Sequence, residues 1–202
     1  VIEDLHGLAF TSPAAHLRDY LAVLVPLLRE GTVHHRGEFY SVNGGVTVPG
    51  TRPVSVLVAA LSPKMPRAAG ELAEGVVTWL AGPRSLGEHI VPALHAAAAG
   101  RVEPRILAGL PVAVCDDAGA ARDTADEVFV RYAGMVNYRR LLEREGVGSP
   151  GQLAVTGTEA EVEKRLRRLA DLGVTELWPV LFGAEADRRR TRALLTGLTA
   201  RS

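Results

Sequence analysis

The stretch VLVAALSPKMPRAAGELAEGVVTWLAGPRSLGEHIVPAL, Val56 to Leu94, decides the fold. Its first residues belong to an apolar, β-branched run, Val54 to Leu61 (VSVLVAAL), interrupted only by Ser55. A strand wet on one side alternates polar and apolar residues, whereas a near-continuous run marks a strand buried on both faces of a parallel sheet. Pro63 to about Ala73 reads as a helix, with Ser62 as N-cap, Pro63 at the first helical position and Gly75 as the stop. Val76 to Leu80 is a second strand, and a second helix runs from about Ser85 to Ala98, ending at Gly100. Strands alternating with helices imply parallel pairing.

The same rhythm continues outward. Ile106 to Cys115 is a third strand, and a long helical region from about Ala118 to Arg144 follows, broken near Gly134. Gly146 to Gly157 reads as a loop with a short apolar run. Thr158 and Glu161 form a capping box for a helix whose inner face is Val162, Leu166, Leu169 and Ala170 and which ends at Gly173. Val174 to Phe182 is the fourth strand, and an Arg-rich helix closes the chain. On the other side, Ser12-Pro13 starts a helix carrying Leu17, Leu21, Leu24, Val25 and Leu28, stopped by Gly31. Thr32 to Arg52 is polar and rich in breakers, a surface excursion with at most a small hairpin. The expected class is α/β, with four parallel strands alternating with helices. Composition leaves open a doubly wound sheet or a barrel, complete or partial. A full barrel takes eight such units and typically ~250 residues.

The chain has 202 residues, and 23 Lys+Arg balance 23 Asp+Glu. That length buries a real core, and the balance gives no reason to expect nucleic acid or an anionic membrane as partner. No apolar stretch approaches the ~18 residues of a membrane span. The single cysteine, Cys115, excludes an internal disulfide framework and fits a reducing, cytoplasmic setting. The chain begins at Val1 rather than Met, which points to a fragment, a processed product or a truncated reading.

In parallel α/β folds the active face lies at the carboxyl ends of the strands. The first such loop is Leu61-Ser62-Pro63-Lys64-Met65. Free N–H groups at a helix start, the helix dipole and the Lys64 charge together suit a phosphate. An ordinary capped turn explains the same residues. In the second loop, Thr78 to Pro83, the Gly82-Pro83 turn lets backbone approach a ligand closely. There Thr78 or Trp79 lines a pocket, or Trp79 simply packs in the core. Asp116 and Asp117 cap the next helix. His34 and His35 read as surface residues, and His16, His89 and His95 as solvated or packed helix residues. There is no HExxH, CxxC, GxSxG or GxGxxG, so metalloprotease, serine hydrolase and dinucleotide dehydrogenase readings lose their main support.

Taken together, Val56 to Leu94 resembles the second-half core of the luciferase-like monooxygenase superfamily, and most of all its deazaflavin (coenzyme F420)-dependent oxidoreductases. Members show a strand, a Gly-Pro-Lys/Arg-Met turn, and an Ala-Gly-Glu-x-Ala-Asp-Gly helix end. Here these are Leu61 to Met65 and Ala69 to Gly75, with Ser62 and Pro66 where relatives often carry Gly and Leu. Val1 to Leu28 is similar to the family's segment after its fourth strand, HRGEFYSV (His35 to Val42) to its insertion, and LADLGVTELWPVLFG (Leu169 to Gly183) to its final strand.

The resemblance implies the C-terminal half of a (β/α)8 TIM barrel spanning residues 1–202, its first half absent. It places a cofactor phosphate on Leu61, Ser62, Lys64 and Met65, with Thr78 and Gly82 beside them. It implies F420, with FMN as the alternative, a small organic substrate, and pairing as a homodimer. The expected chemistry is hydride transfer to or from the deazaflavin. An FMNH2-dependent monooxygenase and a non-catalytic half-barrel remnant are the alternatives. Ring-side residues fall in the absent half, so no catalytic residue and no metal ligand is assigned. Glu3 and His6 are pocket-lining candidates only.

Overall fold

In the computed structural model, residues 6–7, 11–50 and 52–200 are described. Helix α1 (Pro13–Glu30) starts at the proline and stops at Gly31, whose φ of 74° gives the left-handed C-cap that glycine adopts without cost. Ser12 occupies the N-cap position in a left-handed conformation, and its hydroxyl makes no capping bond. The polar excursion is a hairpin: β1 (Thr32–Arg36) and β2 (Ser41–Gly45) pair antiparallel. It is fastened to α1 by Asp19, whose carboxylate accepts the N–H groups of Phe39 and Tyr40 at 2.6 and 2.8 Å and meets His35 Nε2.

The main sheet has five strands, and every pairing in it is parallel. They are β3 (Leu57–Ala59), β4 (Gly75–Trp79), β5 (Arg105–Val114), β6 (Val155–Gly157) and β7 (Glu176–Leu181). The four expected strands are neighbours in chain order, β3-β4-β5-β7, with the long β5 contacting β4, β6 and β7. Two features depart from expectation. Only Leu57 to Ala59 of the run Val54 to Leu61 is strand, because β3 is an edge strand with one neighbour among the described residues, and Val54 is exposed. The segment Gly146 to Gly157 is more than a loop. It holds a 3-10 turn (Pro150–Leu153) and β6, whose three residues are all buried.

Helices follow each strand. After β3 comes α2 (Lys64–Leu72). After β4 comes α3 (Pro83–Ser85), continued through a π turn, Leu86–Ile90, into α4 (Val91–Ala97). After β5 come α5 (Ala118–Val128), α6 (Val130–Ala133) and α7 (Val136–Glu145), then α8 (Glu159–Asp171) after β6 and α9 (Glu185–Thr199) after β7. Asp117 caps α5 through the N–H groups of Gly119 and Ala120, both 2.9 Å away, and the Thr158–Glu161 capping box is formed.

Side chains alternate across the strands. One face carries Val58, Val76, Thr78, Ile106, Ala108, Leu110 and Val112 into a core shared with Ala69, Leu86, Ile90, Leu94, Val162 and Leu169 of the helices. The opposite face carries Trp79, Trp178, Val180 and Phe182. This is a sheet with helices alternating along it, the architecture of a partial TIM-barrel-like α/β fold.

Candidate site at the carboxyl edge of the sheet

Parallel pairing puts the ends of β3 and β4 side by side. Ala59 is in register with Val77, and Ala60 N–H donates to Val77 O at 3.0 Å. The loops holding Leu61 to Met65 and Thr78 to Gly82 therefore leave the same edge, as the sequence reading requires.

The first loop differs in detail from expectation. Pro63 is the N-cap and Lys64 the first helical residue, one position later than the sequence suggests. The turn is held by Met65 N–H donating to Ser62 O at 3.2 Å. Among the described residues, the N–H groups of Ser62 and Lys64 have no partner, and the Lys64 ammonium has no carboxylate within ion-pair distance. Ser62 and Lys64 are exposed, while Leu61 and Met65 are half-buried. Two free donors and one cation at the start of a nine-residue helix make an anion-accepting corner.

The second loop is furnished otherwise. Thr78 is buried beside Val76 on the helix-facing side of β4, and its hydroxyl has no partner among the described residues. Leu80, fully buried, takes a φ of 58°, a left-handed conformation that costs a branched side chain about 1–2 kcal/mol. Its N–H donates to Gly109 O at 3.0 Å, which holds the turn in place. Gly82 is buried, and a Cβ there would meet Glu145 Oε2 at 2.5 Å. That carboxylate, arriving from the end of α7, accepts Ser85 N–H at 2.7 Å and Arg84 N–H at 3.2 Å. The helix start after β4 therefore already holds an anion belonging to the chain itself.

Between the loops and β7 lies an aromatic group that sequence spacing did not mark. Trp79 approaches Phe129, Tyr132 and Trp178 at centroid distances of 5.6, 5.8 and 5.9 Å. Gly109 stands between the two indoles in register with both, and a Cβ on it would lie 3.0 and 3.1 Å from their rings. Tyr132 also meets Tyr138 edge-on, and burial pushes the Tyr138 hydroxyl above its ordinary pKa. Trp178 remains half exposed, so the group presents an apolar platform near the loops.

The remaining candidates lie elsewhere. His6 is exposed, and Glu3 lies outside the described residues. His35, read as a surface residue, is half-buried against Asp19, and His16 bonds Tyr40 Oη at 2.9 Å and stacks on Phe39. Cys115 is buried, and burial raises its thiol pKa, consistent with a packing role.

Solved structures share this architecture. The coenzyme F420-dependent tetrahydromethanopterin reductase of Methanopyrus kandleri superposes with a TM-score of 0.71 at 20% identity, over 95% of this chain and 67% of its own. The monooxygenase RslO1 of Streptomyces bottropensis gives 0.71 at 18% identity, over 99% and 65%. The oxygenating constituent of 3,6-diketocamphane monooxygenase from Pseudomonas putida, in complex with FMN, gives 0.62 at 15%, over 96% and 65%. The chain thus spans about two thirds of the length of these structures. No curated protein sequence matches it. The sequence model of the luciferase-like monooxygenases matches residues 1–176, and the chain accordingly belongs to the luciferase-like monooxygenase family.

Proposed function

We propose that this chain is the C-terminal half of a (β/α)8 barrel oxidoreductase that uses coenzyme F420 to transfer a hydride to or from a small organic substrate. The observation that carries the reading is the corner formed by the free N–H groups of Ser62 and Lys64 beside the unpaired Lys64 ammonium. Such a corner fits the phosphodiester of a deazaflavin, with Leu61 and Met65 as its apolar walls. Thr78 and Gly82 border the site rather than hold the phosphate, because Glu145 repels a second anion at their loop. When bound, the deazaflavin ring supplies the hydride chemistry, and the protein supplies position and electrostatics.

Family membership and the likeness to an F420-dependent reductase support this reading. The likeness to a monooxygenase in complex with FMN supports an FMN-dependent alternative, for which Arg67, exposed on the first turn of α2, is a further cation for a terminal phosphate. No helix among the described residues is long and apolar enough to cross a membrane. Together with the lone buried thiol, this supports a cytoplasmic enzyme, and we take a homodimer as its working state.

Titration with F420 and FMN tests the assignment. F420 is expected to bind at least about tenfold more tightly than FMN, or about 1.4 kcal/mol, and Lys64→Ala to weaken F420 by about tenfold. Tighter binding of FMN, or indifference to Lys64→Ala, overturns the cofactor assignment or its seat. The 202-residue chain by itself is expected to turn over poorly, because the ring-side contacts belong to the other half of the barrel.

A further inference from the structure

Two arginines line one cavity whose lining holds no carboxylate. Arg122 stands on the first turns of α5 and Arg165 in the middle of α8. With Val147 and Gln152 they line a cavity of about 470 Å3. These residues come from four separate segments, and local packing brings them together. A Cβ at Gly151 would lie 2.2 Å from Arg122 O, so only glycine lets the 3-10 turn close directly on α5. Asp126 fastens the same turn, accepting Ser149 Oγ at 2.8 Å and Gly151 N–H at 2.6 Å. Gln152 Oε1 accepts Gly148 N–H at 2.6 Å, which leaves its amide NH2 as a donor.

Carboxylates nearby are committed elsewhere. Glu161 accepts the N–H and hydroxyl of Thr158, and Glu163 holds Arg167 at 2.7 Å. Arg105, Arg188 and Arg190 each have a carboxylate partner, whereas Arg122 and Arg165 have no hydrogen-bond or ion-pair partner among the described residues. Arg165 is half-buried; burial, and then the Arg122 charge, lower its pKa. Glu161 feels the Arg122 charge through space but makes no ion pair with it, and no carboxylate lines the cavity, so two cations share one partly desolvated space with an incomplete set of counter-charges.

We propose that Arg122, Arg165 and the Gln152 amide bind a phosphate-type oxyanion, at a site distinct from the Ser62–Lys64 corner. Guanidinium forks match the oxygen spacing of phosphate, and an amide adds a neutral donor. Inorganic phosphate and a phosphate monoester present the same group.

Calorimetric titration with inorganic phosphate and with glycerol phosphate, at matched ionic strength in chloride, tests the site. Working in a Lys64→Ala background removes the contribution of the other corner. Saturable binding is expected, weakened about tenfold or more by Arg122→Gln, a change at an exposed position that leaves the fold intact by circular dichroism. Arg165→Gln is expected to act in the same direction, and if it does not fold, Arg122→Gln decides alone. The tighter of the two ligands identifies the source of the group. Absence of saturable binding, or equal affinity in Arg122→Gln, overturns the proposal.

Discussion

The carboxylate of Glu145 lies 2.7 Å from the backbone N–H of Ser85, across 60 residues of sequence, and closes the helix that follows β4. It does the work of an N-cap from outside the helix. Gly82 gives it room, and Arg84 Nη1, donating to Arg144 O at 3.3 Å, ties the two segments a second time. Replacing Glu145 by Ala strips two donors of their acceptor and is expected to cost about 1–2 kcal/mol, read from the urea midpoint. Gln, which keeps one carbonyl acceptor, should cost less. Equal losses for the two variants would point to packing of the side-chain stem instead.

Gly109 sets the spacing of the two indoles. A methyl group there meets Thr78 O at 2.6 Å as well as both rings. Gly109→Ala is expected to destabilise by about 1–3 kcal/mol through overpacking and to change the near-ultraviolet circular dichroism of the Trp79–Trp178 pair. An unchanged aromatic spectrum would remove Gly109 from this role.

Asp19 links the hairpin to α1, and its carboxyl is held below its ordinary pKa, first by the hydrogen bond with His35 and then by the N–H groups of Phe39 and Tyr40. A carboxylate with a depressed folded-state pKa contributes stability that is complete above its unfolded value, about 3.9. That contribution is lost as the pH falls through the folded value. Wild type should therefore lose stability more steeply than Asp19→Asn below about pH 4. Parallel profiles in acid denaturation would falsify the linkage.

Arg105 and Glu176 form a two-point fork, 2.6 and 2.7 Å, joining the starts of β5 and β7. Both side chains are more than a third exposed, so solvent screens the pair and its loss in Arg105→Ala is expected to stay near 0.5–1 kcal/mol. Thermal unfolding at low and high salt checks this, with the gap between variants narrowing as salt rises.

The elements that sequence reading located best are those whose signals are local. Asp117 and Thr158 cap helices within three residues of themselves, Gly31 ends α1 by its own conformation, and Pro13 and Gly75 punctuate where the chain turns. The shared edge of the Ser62 and Gly82 loops was also legible, because alternating strands and helices imply parallel pairing. What was illegible depends on distant partners. Val155 to Gly157 is too short to announce a strand, and only its place beside Val112 to Val114 makes it one. Val54 looked like a buried strand residue because the run around it is apolar, yet β3 lies at the sheet edge. Glu145, Asp19 and the Trp79–Trp178 pair act across 16 to 99 residues, and nothing in their immediate neighbours reports it.

The π turn at Leu86–Ile90 works as a phase adjuster. A turn closed over five residues instead of four accommodates one residue more than an α-helix of the same rise. The side chains beyond it are thereby rotated by about 100° relative to an uninterrupted helix. Beyond the turn lie Leu94, fully buried, and the close seat of Gly70 against Leu94 O and Ala97. A regular α-helix over the same residues, none removed, would turn the apolar stripe beyond Ile90 by about 100°. Regularity and fit are opposed at this point in the chain, and the fold keeps the fit.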